Sequence, residues 1–231
     1  MDAYEFKARL APITVVAAPL ATLGVALLGA GAWRSGIGIL VGVSGLHVLL
    51  MQFVRDRGFA QQDRLFKQWG GPPTVRLLRW SGASNSILVE HRHQEVSQAT
   101  GVQLPSAAVE ASDPDGADQR YEAAITILRD RTRTDEYSLV LRQNAAYGFR
   151  RNLYGCKPIG ILVAVCTAAV GLVVVLSPVG DTTASSDSWV IAASVFSLGW
   201  AAMWAVGVTA GFVRRAAEQY AHSLVEAAGR V

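Results

Sequence analysis

Four stretches of the chain contain no Asp, Glu, Lys or Arg: Ala11–Ala32, Gly36–Val54, Ile159–Val179 and Trp189–Phe212. Each is close to the roughly 20 residues that an α-helix needs to cross a bilayer at about 1.5 Å per residue. Soluble core helices are seldom so long and so free of charge. The first stretch does not read as a cleaved leader, because a second apolar run follows after a few residues with no convincing cleavage site. The pattern predicts an all-α integral membrane protein, with four transmembrane helices arranged as two hairpins that flank a helical domain.

Between the hairpins the periodicity is helical, with no strand alternation. "GGPP" at 70–73 ends one helix and starts another, since proline suits a first turn. "SGASNS" at 81–86 reads as a loop, and "LPSAAVEASDPDGAD" from 104 as a longer one. The latter ends in a helix start, with Asp113 as N-cap and Pro114 at the first helical position. From there Ala117, Tyr121, Ala124, Ile125 and Leu128 form one apolar face. A charged break, "RDRTRTDE", precedes a helix from Tyr137 to Tyr154 that runs toward the third apolar run. At the C-terminus Val213, Ala217, Tyr220 and Leu224 follow a heptad-like rule, two heptads being too few to define a coiled coil. The expected segments are thus 1–54 (N-terminal tail and first hairpin), 55–157 (helical domain), 158–212 (second hairpin) and 213–231 (amphipathic C-terminal helix).

Charge then gives a direction. Every Lys and Arg except Arg34 lies in the N-terminal tail, the middle segment or the C-terminal tail, and the 177–188 loop holds only Asp181 and Asp187. The bias of basic residues toward the cytoplasmic side places both termini and the middle segment there, with Trp33 and Trp189 at the outer interface. Only 17% of residues are charged, against about 25% in soluble domains. A net charge of +3 gives no footprint for nucleic acid, and none is expected as a partner. The spacing of Cys156 and Cys166 matches no zinc or redox motif.

The densest cluster of chemistry is "NAAYGFRRNLYGCKPIG" at 144–160. Arg150, Arg151 and Lys157 suit an anchor on anionic headgroups, each contributing about 1 kcal/mol near such a surface. Tyr147, Phe149 and Tyr154 suit an aromatic belt. Gly148 and Gly155 suggest a close backbone approach or a bend, and Asn144 and Asn152 suit local backbone or inter-subunit contacts. The expectation is an elbow that both anchors and hinges.

Inside the apolar runs, His47 is the one side chain that ionises near neutral pH, suited either to function or to a hydrogen bond between helices. Ser44, His47, Ser197 and Thr209 are the polar candidates for lining a path across the membrane. Gly38 and Gly42, and again Gly207 and Gly211, stand in GxxxG spacing, and with Gly45 they suggest helix-packing faces. Trp200 and Trp204 share a face deep in the last run, where their indole N–H groups need partners. Pro12 and Pro19 allow a kink in the first. In "EHRHQE" His91 and His93 point apart on a helix and suit one metal poorly. "DPDGAD" is only superficially like a calcium loop, since Ala124 stands where glutamate is needed. With no phosphate loop, nucleophile elbow or zincin motif, no cofactor, metal or catalytic residue is expected.

The stretch Tyr147–Gly160, "YGFRRNLYGCKPIG", together with "WGGPPT" at 69–74, resembles a family of small bacterial four-helix membrane proteins. The resemblance covers most of the chain and implies architecture and an inner-membrane location, but no activity and no functional residues. The expected function is an oligomeric inner-membrane channel or membrane-perturbing effector, regulated through its cytoplasmic helical domain by a protein or a small molecule. The alternatives are a non-conducting adaptor that recruits a cytoplasmic partner and a membrane-embedded lipid-modifying enzyme. The bilayer and further copies of the chain are the partners expected in the first case.

Overall fold

A computed structural model of the chain describes residues 11–28, 44–177 and 184–231, with side chains for 11–27, 49–177 and 187–231. Among these residues the secondary structure is helical throughout, with no strand. The helices are α1 (Ala11–Leu28), α2 (Ser44–Trp69), α3 (Pro73–Arg76), α4 (Ser86–Thr100), α5 (Ala107–Ser112), α6 (Pro114–Arg131), α7 (Ser138–Leu176), α8 (Ala184–Gly207) and α9 (Ala210–Glu226). Short 3₁₀ turns at Asp135–Tyr137 and Ala227–Arg230 complete them.

Two helical segments, Asp135–Leu176 and Asp187–Gly207, are long and apolar enough to cross a membrane. Only 28% and 22% of their most apolar windows are buried, whereas a soluble core helix would be mostly enclosed. Leu162, Val170, Val173, Leu176, Trp189, Val195 and Val206 are among the large apolar side chains left exposed. The apolar helix Ala11–Leu27 is shorter, and the part of the second apolar run before Ser44 lies outside the described residues.

The helices do not end where the apolar runs do. α2 continues past Arg55 to Trp69, and α7 joins the expected 137–154 helix to the third apolar run as one helix of 39 residues. The last run does the opposite: it breaks at Val208–Thr209, so α9 begins anew at Ala210 instead of extending α8.

The chain forms two compact units. The first comprises the described residues up to 61 and those within 148–213, the second 62–147 and 214–231. In the first, Val54, Leu153, Cys156, Trp204 and Val208 form one buried cluster, and Leu23, Val190 and Ala193 another. α1 packs along α8. Pro19 lacks an N–H, which deprives the Val15 carbonyl of its helical donor. The Trp200 indole supplies one, donating to the Val15 oxygen at 2.8 Å.

In the second unit α6 is central and packs on α3, α4 and α5. Its apolar face, Ala117, Tyr121, Ala124, Ile125 and Leu128, is wholly buried. Asp113 caps it as expected, its Oδ1 accepting from the Gly116 amide at 3.0 Å. α3 starts at Pro73 after Gly70 and Gly71, both at positive φ. The 104–113 segment, expected to be a loop, holds α5, capped by Ser106. Ala217, Tyr220 and Leu224 of α9 are buried within the chain, so intramolecular packing occupies the heptad-like face.

Candidate functional site

The elbow lies on α7 and has two faces. Arg150, Tyr154 and Lys157 (i, i+4, i+7) share one, and Arg151 and Gly155 with Asn152 share the other.

The first face meets the break between α8 and α9. A helix end leaves its last carbonyls without intrahelical donors. Lys157 Nζ donates to the carbonyl oxygens of Ala205 at 2.8 Å and Val208 at 2.9 Å. Its charge also complements the negative end of the α8 dipole. Arg150 Nη1 donates to the Phe212 carbonyl at 3.2 Å, with its guanidinium 4.6 Å from the Phe212 ring centre. On the far side of the break, Thr209 Oγ1 accepts from the Phe212 amide at 3.2 Å. Thr209 is therefore the N-cap of α9. Gly207 ends α8 and Gly211 lies in the first turn of α9, so their GxxxG spacing does not fall on one helix. A methyl on either would meet no side chain closer than 3.8 Å.

The second face meets α2. A methyl on Gly155 would stand 2.5 Å from the Arg57 carbonyl oxygen and 2.7 Å from the Gly58 amide nitrogen, and one on Gly58 would strike Asn152. These two glycines let the backbones of α2 and α7 touch. Asn152 is fully buried at this crossing. Arg151 is also buried, 7% exposed, with its guanidinium carbon 3.7 Å from the Phe59 ring centre. The expectation that Arg151 reaches headgroups is corrected: its charge is enclosed by protein, held by an aromatic ring and by Asn152 at 3.3 Å. Arg150 and Lys157 likewise hold backbone carbonyls.

Tyr147 also departs from the aromatic belt. It is buried in the second unit, stacked on Tyr220 at 6.3 Å, with its hydroxyl 3.3 Å from Gln62 Oε1. Phe149 and Tyr154 pack partly buried against the Trp204 cluster, and Gly148 is buried. Gly148 and Gly155 are both interior to the uninterrupted helix α7, which has no break at either. Ser197 is fully buried and its hydroxyl donates to the Ala193 carbonyl at 2.8 Å, one turn back. Ser44, Gly45 and His47 fall in the first turns of α2, and their side chains lie outside the described residues, as do Gly38, Gly42 and Trp33 altogether.

The second unit holds a polar cluster that the sequence did not announce. Glu110, 5% exposed, accepts from the Trp80 amide at 2.9 Å, the Ser81 amide at 2.8 Å and the Tyr121 hydroxyl at 2.6 Å. Burial alone would raise its pKa, but these donors outweigh burial and hold it below the usual carboxylate value. Burial and the same carboxylate push the Tyr121 phenol upward. His93 Nε2 donates to the Leu78 carbonyl at 2.6 Å, its ring edge-on to Trp80. Its pKa is lowered, burial exceeding the opposing effects of that carbonyl and Glu110. Arg79 forms a two-pronged ion pair with Asp118, which raises its pKa further. His91 faces outward beside Glu95, and no group of metal-ligating side chains occurs among the described residues. Every member of the Glu110 cluster is satisfied by protein, which makes it a structural knot.

No family model matches the chain, and neither does any curated protein or solved structure.

Proposed function

We propose that the chain is a multi-pass inner-membrane protein with four spans, cytoplasmic termini and a cytoplasmic helical segment. It self-assembles in the bilayer and acts as a regulated channel or membrane-perturbing effector. The exposed apolar length of α7 and α8 supports the bilayer as its solvent, since contiguous apolar surface on this scale is not tolerated in water.

The observation that carries the regulated reading is the Lys157 ammonium bridging the broken end of α8. In this reading the break is latched where Lys157 bridges it and released where that side chain lets go. Such an element is what a signal needs in order to alter a set of spans. The test is Lys157→Met in purified protein reconstituted into liposomes, read by ion flux or dye release. The regulated reading expects a shifted basal leak together with a modest loss of thermal stability. Loss of stability with no flux from either protein at any loading leaves the adaptor.

The adaptor reading has its own support. The hydroxyls of Ser197 and Thr167 are turned inward and bonded to carbonyls one turn back, so a single chain does not present them to a water path. Conduction then requires several subunits.

A further inference from the structure

Beside the Glu110 knot, the second unit contains a cavity of about 290 Å³, a size at the lower end of the range for small-ligand sites. The 81–85 loop, the start of α4 and the side chains of Arg76, Arg79 and Arg92 line it, and no acidic residue does. α4 turns Leu88 and Arg92 toward it, four residues apart on one face.

The three arginines differ in what they already hold. Arg79 is taken by Asp118 and the Gly70 carbonyl. Arg92 makes a single long bond, 3.4 Å, to the Leu77 carbonyl. The Arg76 side chain has no hydrogen bond or ion pair among the described residues, its backbone amide donating to the Pro72 carbonyl. The two acids bonded to these wall residues are already engaged. Asp118 is bound to Arg79, and Glu110 is enclosed by Trp80, Ser81 and Tyr121. The first turn of α4 carries no acid, and its leading amides lack intrahelical acceptors, apart from Leu88, which Asn85 caps. Two guanidinium forks with free donors, on a concave wall without acids, match the oxygens of a phosphate group.

We infer that this cavity binds a small phosphate-bearing anion, with Arg76 and Arg92 as its principal ligands and the 81–85 loop closing on the rest of the molecule. The site is independent of whether the assembled protein conducts, and its test reads binding alone. The phosphate belongs either to a free metabolite or to a lipid headgroup.

The experiment is isothermal titration of pyrophosphate into the full chain in phosphatidylcholine nanodiscs at matched ionic strength, with amide hydrogen exchange over residues 76–92. Pyrophosphate is expected to bind and to protect the 81–92 amides. Arg76→Gln, at a side chain with no hydrogen bond or ion pair among the described residues, should weaken binding about tenfold, and Arg76→Gln with Arg92→Gln should abolish it. Arg129→Gln, an exposed charge-matched change at the end of α6, should leave it intact. Circular dichroism melting confirms that each variant is folded. Repeating the titration in phosphatidylglycerol nanodiscs separates the sources. Weaker pyrophosphate binding, with 81–92 protected beforehand, assigns the pocket to a headgroup, and equal binding in both lipids assigns it to a free ligand. No binding to the wild-type chain, or equal binding by the folded double variant, overturns the inference.

Discussion

At the scale of single residues, a vacancy in backbone hydrogen bonding is filled by a side chain far along the sequence. Pro19 orphans the Val15 carbonyl, and Trp200 answers it from 185 residues away. This pairing predicts a thermodynamic coupling. Trp200→Phe should cost about 1–2 kcal/mol, because it leaves a carbonyl unsatisfied in an apolar setting. In a Pro19→Ala background the helix supplies its own donor, and the same change should cost about 1 kcal/mol less. Thermal melting of the four proteins in one detergent measures the cycle, and additive costs would refute the pairing. Glycines are separable in the same way. Gly155→Ala forces α2 and α7 apart and should destabilise by about 2 kcal/mol. Gly24→Ala in α1, where a methyl would meet nothing within 4 Å, should be neutral or slightly stabilising.

At the scale of elements, the second unit is tied together by groups whose ionisation favours the fold only above acidic pH. His93 has its pKa lowered in the folded chain, so the unfolded chain binds its proton more readily, and stability falls as pH drops through the ordinary histidine value near 6.5. Glu110 is also depressed, so its contribution is present above its unfolded value near 4.5 and is lost as pH falls through its folded value. Both signs point the same way, and the 62–147 segment should lose stability in two steps on acidification. Hydrogen exchange over Trp80–Tyr121 at a series of pH values reports this. Glu110→Gln should remove the lower step and cost about 3 kcal/mol, because an amide cannot accept as the carboxylate does from three donors. His93→Gln should remove the upper step. Protection factors, corrected for the intrinsic pH dependence of exchange, that stay constant between pH 7 and 5 would exclude the His93 role.

The same elements show which parts of the fold the sequence expresses. Caps and helical faces are local, and Asp113, Pro114 and the face from Ala117 to Leu128 are legible because every determinant lies within a few turns. Helix α5 has its signal too, a capping Ser106 before an alanine-rich stretch, but six residues beside loop-forming neighbours read as loop. Glu110 is opaque for another reason. Its burial follows from amides that the 80–81 turn brings from about thirty residues away, and no spacing rule carries that information. Gly207, Thr209 and Gly211 had two readings in one pattern. As GxxxG they suggest packing, and as a threonine between glycines they mark a helix break with a new N-cap, which is their place in the fold. Lys157 beside an apolar run looks like a headgroup anchor until the break 48–51 residues later supplies carbonyls for it.

At the scale of the whole molecule, the question is what covers the apolar faces of α7 and α8. The large apolar side chains exposed there are aliphatic and aromatic, and the Thr167 and Ser197 hydroxyls are buried and bonded within their own helices. Lipid alone satisfies such faces, and so does another copy, but a water-filled path requires polar groups that one chain turns inward. The mass of the assembly therefore decides between the two functional readings before any current is recorded. Native mass spectrometry of the nanodisc-extracted protein, with lipid stripped stepwise, is expected to give a closed ring of several subunits. In that case Lys157→Met should preserve the subunit number while altering leak, since the carbonyls that Lys157 holds belong to its own chain. A monomer or simple dimer would leave too few helices to enclose a path. Lys157 would then be a helix cap and nothing more, and the functional surface to pursue would be the arginine-lined cavity of the second unit.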